Sequence, residues 1–129
     1  MKKVVIAASF IALFAVSAAM MAVQAQAKPA KGMVVGDVIE LSTYAIKGHG
    51  EGSAETYKTR AEQGFPVGIL EDETGEIWIC VFRSPAPASH LETANKHLLE
   101  YMGKKVAVQG LKYKADGVNV IRFSVISEY

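Results

Sequence analysis

Two β-like runs, residues 104–113 and 118–127, are joined through Lys114-Ala115-Asp116-Gly117, and this joint constrains the fold of the 129-residue chain more than any other feature. Asp-Gly between apolar, β-branched runs is a strong hairpin signal, because the tight turn that matches strand twist needs positive φ at its central residues. A second turn signal, Asp72-Glu73-Thr74-Gly75, separates runs 66–71 and 76–83 and predicts another hairpin, with Gly75 at the position that needs positive φ. Residues 33–44 carry Val34, Val35, Val38, Ile39 and Leu41 in rough alternation around Asp37 and Glu40, which reads as a first strand.

Helices fall between these runs. Lys47-Gly48-His49-Gly50-Glu51-Gly52 holds three glycines in six residues and reads as a flexible loop. Ser53 is placed to cap a helix through Gln63, which Gly64 stops. The stretch 84–88, with Pro85 and Pro87, breaks regular structure. Ser89 and Glu92 then form a capping box opening a helix to Met102, with Leu91, Ala94, Leu98 and Met102 as its apolar stripe and Gly103 as its stop. The expected order is β-α-β-β-α-β-β, in one domain.

The amino terminus reads as an address. Met1-Lys2-Lys3 precedes an apolar run from Val4 to Val23, and Ala25-Gln26-Ala27 offers the small residues that a signal peptidase requires. Residues 1–27 are therefore assigned to a signal peptide, 28–32 to a linker and 33–129 to the domain. The double-lysine start and short length look bacterial, which implies a periplasmic or extracellular location. The run of about 20 residues would also span a bilayer, so membrane association is expected only if the segment is retained. Cleavage removes two of the 14 Lys and Arg and leaves 12 against 13 acidic residues. A balance of that kind argues against a nucleic-acid partner, and a single cysteine excludes an internal disulfide framework or a cysteine-cluster zinc site.

Three strands, a helix and a final hairpin form the element order of the OB-fold, a five-stranded partly open barrel. The segment from Gly68 to Ile79 resembles the hairpin between that superfamily's second and third strands, and Gly103-Lys104-Lys105-Val106-Ala107-Val108-Gln109-Gly110 resembles its fourth strand. The fold class expected is mainly β: a five-stranded OB-like barrel with a helix between strands 3 and 4 and an inserted helix between strands 1 and 2. With Gly64-Phe65-Pro66-Val67-Gly68 after that inserted helix, the chain is similar to small exported bacterial OB-like proteins of unassigned biochemistry. Those proteins often carry cysteines in and before the inserted helix. The matching positions here are Thr43, Thr56 and Arg60, so no thiol, haem or metal chemistry transfers with the resemblance.

Strand three alternates Ile77, Ile79 and Val81 with Trp78, Cys80 and Phe82. Placing the aliphatic set inside a barrel leaves Trp78, Phe82 and Cys80 facing outward as a binding surface on strands 2 and 3, where aromatic platforms stack bases or sugars. Cys80 would otherwise be a small buried hydrophobe. His49, beside Glu51, is a weak candidate metal ligand. His90 and His97 lie about 10.5 Å apart along a helix at 1.5 Å per residue, too far to share one ion. Lys104, Lys105, Lys112, Lys114 and Arg122 gather on the last hairpin and Glu71, Asp72, Glu73 and Glu76 on the first, a dipolar arrangement able to steer a charged partner.

No Gly-x-Ser-x-Gly, His-Glu-x-x-His or Walker loop occurs, so no catalytic residue and no cofactor is assigned. The functional expectation is a secreted or periplasmic non-catalytic module acting by protein interaction or self-association, with an unknown protein partner or a second copy. The alternatives are a small-ligand binder for a metal, haem or oligosaccharide, and, last, a minor hydrolytic or redox enzyme.

Overall fold

The computed structural model describes residues 29–83 and 93–129. The signal segment, residues 84–88 and the Ser89–Glu92 capping box with His90 lie outside the described residues. Five strands close into a barrel in the order β1-β2-β3-β5-β4: β1 (Ala30–Glu40), β2 (Val67–Glu71), β3 (Ile77–Phe82), β4 (Lys105–Ala115) and β5 (Val118–Glu128). All neighbours are antiparallel except β3 and β5, which run parallel. This is the mainly β, OB-like barrel expected from the element order. Both turns take the required geometry, with φ of +48° at Asp116, +82° at Gly117 and +72° at Gly75.

β1 is the strand that lets the barrel close. Residues Ala30–Asp37 pair with β4 and Gly36–Glu40 pair with β2, so the strand changes partner over Gly36 and Asp37. A Cβ on Gly36 would stand 1.9 Å from the Leu70 carbonyl oxygen, so only glycine permits this approach of backbones.

The strand expected over 33–44 is shifted at both ends. It starts at Ala30, inside the expected linker, and ends at Glu40, where α1 (Leu41–Lys47) begins. The Glu40 carboxylate accepts from the backbone amides of Ser42 and Thr43, a local cap that overrides the β-forming content of Leu41 and Thr43. α2 (Ser53–Glu62) is the inserted helix, and Gly52 rather than Ser53 occupies its cap position; the Ser53 hydroxyl instead accepts from the Gly50 amide. α3 (Ala94–Leu98) continues into a short 3-10 turn, Leu99–Tyr101, and starts behind Thr93, whose hydroxyl accepts from the Lys96 amide. Gly103 ends this segment at φ +77° and donates to the Val38 carbonyl, tying the segment to β1.

The interior is filled by Val34, Val38, Ile69, Val106, Val108, Ile121 and Phe123, with Leu98 and Met102 from the α3 segment buried in the same core. Among the described residues no helix is long and apolar enough to cross a membrane.

Candidate functional site

Strand register decides the fate of the expected binding surface. Trp78 pairs with Ile69, Cys80 with Ile121 and Phe82 with Phe123, so all three share the face of the buried core residues. Trp78, Cys80 and Phe82 are 1%, 6% and 6% exposed, whereas Ile77, Ile79 and Val81 are only partly covered. The two faces of β3 are therefore the reverse of the sequence expectation, and Trp78, Phe82 and Cys80 form no outward platform. Both sets are apolar, so alternation alone did not distinguish them. Trp78 also has polar partners: its Nε1 donates to Glu71 Oε1 at 3.3 Å, and the Lys112 and Lys114 ammonium groups stand 4.5 and 5.5 Å from its ring centroid. Phe82 stacks on His97 at 3.6 Å and meets Phe123 edge-on at 5.3 Å.

Cys80 takes the small-hydrophobe role. Burial pushes its thiol far up, away from the reactive thiolate. A thiol reagent such as dithionitrobenzoate should leave Cys80 unmodified in native protein and label it fully in concentrated guanidinium; rapid native labelling would contradict this burial.

His49 lies in the glycine loop with both ring nitrogens engaged. Nε2 is 3.4 Å from Asp37 Oδ2 on β1, and Nδ1 is 3.0 Å from the Tyr57 hydroxyl on α2, with the two rings stacked 5.7 Å apart. The Tyr57 hydroxyl also donates to the Gly48 carbonyl at 3.2 Å. Burial raises the Tyr57 pKa, and the nearby Tyr44, Glu40 and Asp37 add to it, so this hydroxyl stays protonated. Together these contacts fasten the loop to the barrel and to the inserted helix. Among the described residues no group of three or more His, Cys, Asp or Glu is placed to hold a metal ion.

A groove between α1 and α2 brings together residues that the sequence treated separately. The i, i+4 pair Thr43 and Lys47 lies along one helix and the i, i+4 pair Thr56 and Arg60 along the other, so each pair forms one stripe. With Ser42 and Ile46 they line a cavity of about 160 Å³. A second hollow of about 270 Å³ shares Thr43, Lys47 and Thr56 and extends over His49, Glu51 and Ser53. The three positions that the resemblance sets against cysteine, Thr43, Thr56 and Arg60, thus meet at one place.

The polar groups of the groove are unevenly satisfied. The Ser42 hydroxyl donates to Glu40, and the Ser42 and Thr43 amides do the same. Among the described residues, Lys47 and Arg60 have no ion pair and the Thr56 hydroxyl has no hydrogen bond. Arg60 lies over the Phe65 ring at 3.7 Å, and its Nε is buried with no hydrogen-bond partner. An unmatched buried donor of that kind costs about 1–3 kcal/mol. The sequence signal for this site is the pair of i, i+4 spacings, which the strand-like content of residues 41–44 masks, since those residues form the start of α1.

Fully buried Glu40 underlies α1. Burial alone would raise its pKa, but the hydrogen bonds from Ser42 and Thr43 outweigh that effect and hold it below the ordinary value of 4.5. A carboxylate depressed in the folded state adds stability above its unfolded pKa and loses it as pH falls through the folded value. The melting temperature should therefore hold its Glu40 contribution above pH 4.5 and lose it below. Glu40→Gln should melt lower at neutral pH and decline less steeply on acidification; parallel pH profiles would contradict the assignment.

The opposed charges on the two hairpins neutralise one another at two points: Lys105 pairs with Asp72 at 2.7 Å and Lys114 with Glu76 at 3.0 Å. Compared with protein-family models, with curated proteins and with solved structures, the chain matches none.

Proposed function

We propose that this chain is an exported, non-catalytic binding module whose ligand is a small molecule held in the groove between α1 and α2. The observation that carries this reading is the convergence on one cavity of the Lys47, Thr56 and Arg60 side chains, which have no ion pair or side-chain hydrogen bond among the described residues. The resemblance to exported OB-like proteins is consistent with it, since the positions matched to cysteine there line the same groove here. Nucleic acid is not the partner on this reading, given the balanced charge.

Protein interaction or self-association is the second reading. It moves from Trp78 and Phe82 to the outward row Ile77, Ile79 and Val81, whose partly exposed aliphatic side chains favour an apolar contact. Native mass measurement on protein purified from its exported compartment separates the two. A mass excess that vanishes on denaturation, and is absent in Thr56→Trp, supports the groove; a doubled mass lost in Ile79→Glu supports the sheet face.

A further inference from the structure

We propose that the groove between α1 and α2 binds a small oxyanion, a phosphate, sulfate or carboxylate group, through Lys47, Arg60 and Thr56; this rests on the reading of the groove as a ligand site. The charge pattern carries the inference. Two cationic side chains line the cavity, neither has an ion pair among the described residues, and no carboxylate lines it. Among the described residues Lys105 and Lys114 on the last hairpin find carboxylates, whereas Lys47 and Arg60, which line the cavity, do not.

Geometry favours recognition over mere positive charge. The Arg60 guanidinium is seated on the Phe65 ring, which fixes its plane before any ligand arrives. Its buried Nε lacks an acceptor, and buried donors are almost always matched. The Thr56 hydroxyl, one helical turn before Arg60, supplies a further donor on the same stripe. The amides opening α1 take no part, because they already bind Glu40. Glu40, the carboxylate that caps α1, is matched by the Ser42 and Thr43 donors. A cavity of about 160 Å³ holds the volume of about five liquid waters, room for one oxyanion headgroup. The adjoining hollow over His49 gives an organic body attached to that anion somewhere to lie.

The test uses the full mature protein with inorganic phosphate and phenyl phosphate as probes, followed by amide chemical shifts and calorimetry. Saturable shifts at Lys47, Thr56 and Arg60 are expected, with binding weakened roughly tenfold in Lys47→Gln, the loss of one charge-assisted contact. Tighter binding of phenyl phosphate than of phosphate assigns the natural anion to a larger molecule; equal binding assigns it to the free ion. Thr56→Val, which keeps the side-chain shape, should weaken both probes by a smaller factor, and both variants should retain the native melting temperature without probe. Shifts that chloride reproduces at equal ionic strength, or that Lys47→Gln leaves unchanged, overturn the proposal. A groove that retains a neutral or cationic co-purified molecule but refuses both probes overturns the oxyanion assignment alone. A groove empty in native mass and silent to both probes overturns the ligand-site reading as well.

Discussion

Replacing Trp78 by alanine should remove about 3–5 kcal/mol of folding stability, the cost of deleting a large aromatic from a filled interior. The side chain is 1% exposed, faces Ile69 across the β2–β3 pair and belongs to the continuous barrel core. Two further losses add to the cavity. Glu71, itself 8% exposed, loses the indole donor and keeps Thr74 as its side-chain partner among the described residues, and Lys112 and Lys114 lose the ring beside them. Urea unfolding followed by circular dichroism gives the number. Trp78→Phe restores part of the volume but not the donor and should recover part of the loss. A loss below about 1 kcal/mol for Trp78→Ala, within the range of ordinary surface changes, would return Trp78 to the outside of the barrel.

Gly36→Ala should be nearly as damaging, at about 3 kcal/mol or more, because the added methyl meets backbone and no side chain can move aside. Its Cβ would fall 1.9 Å from the Leu70 oxygen and 2.7 Å from the Leu70 carbonyl carbon. Relief requires β1 to part from β2 at the residue where it turns from one partner to the other. The same melting experiment reads it, and hydrogen exchange should show early loss of protection across residues 36–40 and 67–71. By contrast Gly50→Ala, which has open space and an ordinary backbone conformation, should change stability little. Equal effects at both positions would remove the close approach as the cause.

The hairpins were legible because their signals are local. Asp116-Gly117 and Gly75 take the positive φ that the turn chemistry requires, whatever the rest of the chain does. The inserted helix was legible for the same reason, through Gly64, whose φ is +93°. The face of β3 was not. Its alternating sets are both apolar, and what separates them is the parallel pairing with β5, where Val81 stands beside Arg122 and Cys80 beside Ile121. That register belongs to the closed barrel and leaves no mark within residues 77–82. α1 was missed because its cap comes from Glu40, a buried carboxylate that precedes a stretch rich in β-forming residues. The candidate groove depends on α1, so it is hidden with that helix, although the family resemblance sets Thr43, Thr56 and Arg60 against cysteine positions.

The most direct test of the account is an amide hydrogen-exchange map of the protein as purified, compared with the same protein unfolded, dialysed free of small molecules and refolded. A ligand in the groove predicts that protection is lost on stripping at residues 42–60, while residues 67–82 exchange alike in both samples. Protection lost instead across residues 67–82, with 42–60 unchanged, would place the binding surface on the β2–β3 face and contradict the account.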